Sequence, residues 1–576
     1  MLNVLLTLPL ALAPIAPAPT ALLVTQDADT VESLLDQGRA ELENGRPIQA
    51  EEFFQKADQL SGEKLETKMW VLRAWMDQGR SNDTLDAIDK LTKAGNKGLE
   101  IDYLYGMAFE RRAEQAMMNG SGDISVQMNF DDAVRFLQKV TEADPNRYRD
   151  AFLPLATAGW HAQKLDIARK AAEEAVLRYP KHGEANLMLG RICLSQFQVA
   201  HGSAEQPPVE EWPDEVTGHW TLARDAFADA MTNFGSPKRN DTRTQNLLSQ
   251  AAVQLGHTWV WKSAREEASQ AYATAIGWMP DRVNIAEIRG LVTNPDNPND
   301  LSLFCDTLEG AVTKFQKTFG KKDARNGALL WWLGYARYWG GKRVEAEAAF
   351  VDCLAIEPGY TNSWVYIGLS RYDQKKWPEA IEAFHTSWKA DPTTTINEVR
   401  ADLNGNAAKL KFLLGQAYKD NNLEQCAMLA ELVAESTTNV AADWNNAGLF
   451  LRDWAEFQAR TKKNLTADER AGIMKLYENS LRAYTRSMDL SPEDPQVLND
   501  TAVILHYYLQ REFERAESMY VKAGELADKL LADGKLKGEE LNRIQIAKRD
   551  AGNNLRLLRK AMKDAKKPVE AGTGKQ

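Results

Sequence analysis

Small, aromatic and proline residues recur along the chain at a fixed interval. Between residues 327 and 360, Leu333 and Gly334 are followed after twelve positions by Ala346, then Phe350, and after twelve more by Pro358. Residues 361–394 repeat the pattern with Trp364, Ile367, Gly368, Ala380, Phe384 and Pro392. Apolar residues three and four apart share one helix face, and a proline turns the chain out of a helix. The pattern therefore predicts a pair of helices joined by a short turn. The small residues let the two backbones approach, and the aromatic fills the gap toward the next pair. Six units keep the twelve-residue step from a Gly or Ala to an Ala: Gly38/Ala50, Ala156/Ala168, Gly256/Ala268, Gly334/Ala346, Gly368/Ala380 and Gly415/Ala427.

A repeat of about 34 residues with these positions resembles the tetratricopeptide repeat, a helix–turn–helix unit. The resemblance implies an all-α fold, a right-handed superhelical solenoid whose units bury their apolar faces against their neighbours. It also implies protein binding rather than chemistry. The cluster Thr293–Asp300, rich in Asn, Asp and Pro, breaks the pattern and marks a boundary. The expected organisation is an N-terminal array at 31–282, a linker with an orphan helix at 283–326, a C-terminal array at 327–526, a capping helix at 527–565 and a disordered tail at 566–576. The orphan helix is expected from Leu301 to about Lys317, with Asp300 as its N-cap.

Three units are stretched between their two helices: Gly106 to Ala133, Gly190 to Ala223, and Gly448 to Ser480. The second insertion, with Pro207, Pro208 and Pro213, reads as a loop. In the third, Thr466 and Glu469 read as a capping box that starts a long second helix. The insertions either form a partner-binding ridge or thicken the array.

A chain of 576 residues is too long for one core, a limit a repeat array escapes. The net charge of −11 argues against nucleic acid as the main partner. The four cysteines show no metal-ligand spacing, and Cys193 and Cys353 fall on core positions. The first charged side chain is Asp27, so residues 1–26 read as a signal peptide or leader. Export to a bacterial periplasm or cell envelope follows. The alternatives are an uncleaved anchor and a cytoplasmic leader.

Seven scattered histidines form no metal motif, and no nucleophile elbow or kinase motif occurs. Gly572-Thr573-Gly574-Lys575 lacks the phosphate-loop pattern. The repeats leave no block of about 100 residues for a catalytic domain. No catalytic residue, cofactor or metal is expected, and the chain reads as a non-enzyme.

The resemblance implies that the first helix of each unit lines a concave groove. In the second array the candidate groove residues are Trp331, Tyr335, Tyr338 and Trp339, then Leu369 and Tyr372, then Lys409, Phe412 and Lys419, then Asn445, Arg452 and Asn499. Aromatic residues on a rigid scaffold suit a peptide or helix anchor. Trp331 and Trp332 are adjacent, however, so at least one packs inward, and core packing remains the competing reading. The polar positions read equally as a solvated face. The basic C-terminal stretch (Lys548, Arg549, Arg556, Arg559, Lys560) is either a solvated capping helix or, with the leader, the only route to membrane contact. The leading function is a scaffold that binds protein segments in its groove. The alternative is a regulatory subunit or co-chaperone adaptor of an enzyme complex. An enzyme with a cryptic site would require a formed pocket with converging titratable groups, and none is expected.

Overall fold

The computed structural model describes residues 30–202 and 209–565, and among these it contains helices and no strand. The leader at 1–26, the tail at 566–576 and Pro207–Pro208 lie outside the described residues. Contacts divide the chain into two compact units between Asn233 and Phe234.

The first unit consists of five helix pairs: α1 (Val31–Glu43) with α2 (Pro47–Ser61), α3 (Leu65–Asp77) with α4 (Ser81–Lys93), α5 (Leu99–Met118) with α6 (Ile124–Ala143), α7 (Phe152–His161) with α8 (Leu165–Arg178), and α9 (Gly183–His201) with α10 (Asp214–Phe234). The second unit opens with α11 (Thr242–Val260) and α12 (Arg265–Trp278), then α13 (Ile285–Val292) and α14 (Ser302–Phe319), α15 (Arg325–Trp339) and α16 (Arg343–Ile356), α17 (Ser363–Asp373) and α18 (Trp377–Ala390). A short extra helix, α19 (Pro392–Val399), precedes α20 (Leu403–Lys419) and α21 (Leu423–Thr437). The unit ends with α22 (Ala441–Thr461) and α23 (Ala467–Leu490), α24 (Pro495–Val503) and α25 (Phe513–Ala532), and α26 (Gly538–Ala565).

The twelve-residue pattern works as its physics requires. A Cβ added to Gly334 would lie 2.9 Å from the Phe350 ring, and one added to Gly448 would lie 2.7 Å from the Tyr484 ring. The first helix can therefore meet the second only where a side chain is missing. The same pairing joins Gly38 to Phe54, Gly190 to Phe227, Gly256 to Tyr272 and Gly368 to Phe384. These rings are fully buried, and the partner alanines Ala50, Ala268, Ala346 and Ala380 have no exposed surface.

The segment 283–326 lies inside the second unit, and its helix is not an orphan. The longer α14 packs chiefly along α12 and then on α15, and the short α13 bridges α12 and α14. Phe304, Leu308, Ala311 and Phe315 of α14 are buried. The N-cap of α14 is Leu301 rather than the expected Asp300, whose carboxylate lies one residue earlier and accepts from the Ser302 amide at 3.0 Å. The third insertion takes the expected form: α22 and α23 are long, and Thr466 and Glu469 make a reciprocal capping box. α26 packs along α24 and α25, which closes the last pair. All four cysteines are buried thiols. No helix among the described residues is long and apolar enough to cross a membrane.

Candidate partner-binding face of the second unit

Successive first helices α13, α15, α17 and α20 gather a continuous aromatic and basic patch. On α15 the Trp331 ring stacks on Tyr335 with centroids 5.6 Å apart. It also meets Phe350 and Tyr366 edge-on at 6.4 and 6.2 Å. Tyr335 is 6.2 Å from Trp339, and its hydroxyl accepts from Arg289 of α13 at 2.7 Å. Trp332 stands edge-on to Trp331 and Tyr335 at 5.1 and 5.8 Å and also meets Phe304 of α14. Both tryptophans remain half-buried.

Lys409 of α20 links this cluster to the next. Its Nζ is 2.9 Å from Asp373 and donates to the Tyr338 hydroxyl at 3.3 Å. It stands 5.8 and 5.7 Å from the Tyr338 and Tyr372 ring centres, a cation–aromatic contact on both sides. Phe412 continues the wall, edge-on to Tyr372 at 5.7 Å and to Trp377 at 4.9 Å. It is 37% exposed. The Trp331 and Trp339 indole N–H groups find no acceptor among the described residues.

Three expected groove residues are placed elsewhere. Tyr338 is only 2% exposed, held between Tyr366 and the Arg343 guanidinium, which lies 4.0 Å from its ring centre. Burial pushes the Tyr338 phenol pKa up, against the pull of Lys409 and Arg343. Leu369 is 1% exposed and belongs to the core between α17 and its neighbours. Asn499 is covered by α26, whose Asn554 amide donates to it at 3.1 Å. The helix that ends the array thus occupies the last groove position. Lys419 is exposed, and Asn445 is half-buried with an unpaired Oδ1. Arg452 pairs with Asp453 at 2.7 Å. These three do not join the aromatic patch.

The sequence pattern passed over several residues of this face. Arg289 sits on a helix expected to be linker, so nothing in the spacing marked it. Tyr366 packs under Trp331, Tyr335 and Tyr338 and donates to Glu398 of α19 at 2.8 Å. Tyr418 is 65% exposed and edge-on to Phe450. The first unit has a polar counterpart on its own first helices. Arg73 of α3 donates to Tyr103 of α5 and to Asp150, in the turn before α7, at 3.1 Å. Tyr103 also donates to Asp150, at 2.7 Å. Among the described residues no cluster of His, Cys, Asp or Glu has a metal-holding arrangement.

No family model matches the chain, and no curated protein matches it. Among solved structures it is similar to yeast Tom70, at 14% identity and a TM-score of 0.21 over 93% of this chain and 99% of that one. It is also similar to the C-terminal part of a TPR repeat-containing protein from Cytophaga hutchinsonii (12% identity, TM-score 0.29, 58% of this chain and 98% of that one). A third is YrrB, described as a TPR protein with an unusual peptide-binding site (12% identity, TM-score 0.23, 45% and 96%). Scores this low leave the assignment to the chain's own packing. By its glycine–ring pairs, four of them sixteen residues apart and two lengthened by insertions, the chain is an all-α array of helix–turn–helix repeats, the fold that the tetratricopeptide resemblance implies.

Proposed function

We propose that the chain is a non-enzymatic scaffold that binds a peptide or helical segment of another protein on the first-helix face of its second unit. The observation that carries this reading is the aromatic run from Trp331 through Tyr335 and Trp339 to Tyr372 and Phe412, with Lys409 in its middle. Half-exposed aromatics on consecutive rigid helices supply contact area at low entropic cost. Lys409, held by Asp373 at 2.9 Å, adds a positive charge beside these rings that favours an acidic or carboxylate-bearing segment. The uncharged leader supports a place in the cell envelope.

The test is crosslinked capture from the native host with the full chain and with a Trp339→Ala, Tyr372→Ala, Phe412→Ala variant. These replacements leave Trp331 and Tyr335, which pack on the buried Tyr366, in place, so the variant should keep its helical content and lose the partner. Equal capture by both proteins removes this face as the binding site. N-terminal sequencing of the fractionated native protein tests the location, with a start beyond the leader in an envelope fraction as the expected result.

A further inference from the structure

The long third insertion borders a cavity. Between α18, α19, α21, α22 and α23 lies a space of about 400 Å³. Its walls include Trp388, Trp454, Met428, Leu451 and Leu476. Leu451, Trp454, Lys475 and Leu476 all fall in the stretch between Gly448 and Ser480, so the insertion supplies one wall of this space. The sequence pattern led us to expect no formed pocket with converging titratable groups; this one has them.

Glu431 of α21 lines the cavity and is 3% exposed. Its Oε1 accepts from Arg482 of α23 at 2.5 Å, while its Oε2 is buried with no hydrogen-bond partner. The other charges are accounted for. Arg482 is shared with Glu435 at 2.9 Å, and Arg400 also pairs with Glu435. His385 and Lys389 of α18 both lie 3.2 Å from Glu424. Lys475 is exposed to water. The unmet demand is therefore at the buried end, where a carboxylate oxygen lacks a donor. A buried polar atom left so destabilises the fold. Burial also pushes the Glu431 carboxyl up to about 7, with Arg482 pulling the other way.

We propose that this cavity binds a primary ammonium or guanidinium group on an apolar stem, with the stem between Trp388 and Trp454 and the cation on Glu431. A cation there supplies the missing donor to Oε2 beside the existing Arg482 pair, and the tryptophans favour both its stem and its head. The site shares α18 with the aromatic face, but none of its lining residues belongs to that face, so it stands or falls independently of it.

The experiment titrates the full chain, labelled on its tryptophan indoles, with three probes: n-pentylammonium, N-acetyl-lysine amide and the neutral N-acetyl-norleucine amide. Binding is read as saturable shifts of the Trp388 and Trp454 indole resonances, assigned by single replacement. Both ammonium probes should bind if the cation alone suffices, and only the lysine amide if a polypeptide side chain is required. The norleucine amide should bind at least about tenfold more weakly. Because the cation binds the ionised carboxylate, affinity should rise about tenfold per pH unit below the Glu431 pKa and level off above it. Glu431→Gln should weaken ammonium binding about tenfold and remove the pH dependence at unchanged helical content. Trp454→Ala should weaken all three probes alike. Equal binding of the norleucine amide, unchanged binding in Glu431→Gln, or no saturable shift at either tryptophan overturns the proposal.

Discussion

Glu110 of α5 shows how one buried side chain sets a response to pH. It is 2% exposed, and its Oε2 has no hydrogen-bond partner. Burial raises its pKa well above the ordinary 4.5, while Arg111 and Arg73 oppose the rise and Glu114 and Asp77 add to it. The folded chain thus keeps a proton that the unfolded chain releases. The stability linked to this group is whole below about pH 4.5 and is lost as the pH rises through the raised value. Glu110→Gln should leave the denaturation midpoint of the first unit unchanged in acid and raise it in alkali, measured by urea titration across the pH range. A flat difference between the two proteins would mean that Glu110 is ionised throughout. This residue was not legible in the sequence. Glutamate on a helix reads as solvated, and only the arrival of α3 and its neighbours makes it a buried one.

At the scale of single elements, local chemistry predicts well and placement does not. The capping box of Thr466 and Glu469 was readable because both partners lie within one turn, and the structure forms it with the Glu469 carboxylate accepting from the Thr466 amide at 2.8 Å. Thr466→Ala should cost about 1 kcal/mol, seen as faster amide exchange confined to the first turn of α23. The glycine–ring pairs were readable because they recur at the same place in each helix pair, even where an insertion parts Gly448 from Tyr484. Gly448→Ala should force the Tyr484 ring to shift and cost about 1–3 kcal/mol, seen as a lowered midpoint for the second unit. The candidate face was only partly readable. Helical period places Trp331, Tyr335 and Trp339 along α15, but Tyr338 is buried because α17 brings Tyr366 against it. Leu369 likewise goes to the core, and α26 takes Asn499.

The molecule as a whole is two compact units, and each repeat within them contacts chiefly its neighbours. Stability in such an array is a sum of nearest-neighbour terms, and unfolding need not be a single transition. Denaturation followed by tryptophan fluorescence and by helical signal should therefore show separable steps, with Gly448→Ala moving one and leaving the step of the first unit in place. A single coincident transition in both proteins would contradict that independence. The sequence alone determined the all-α repeat type and the helix pairs that keep the small-residue and aromatic spacing, because these rest on contacts within one repeat; the short α13 and α19 were not among them. Tertiary structure alone decided which aromatics of α15 stay open, that α13 and α14 pack into the array rather than forming a linker, and that helices from α18 to α23 enclose a cavity around Glu431. Each of these depends on which distant helix arrives beside a side chain, and a local pattern of apolar and polar residues carries no record of that neighbour.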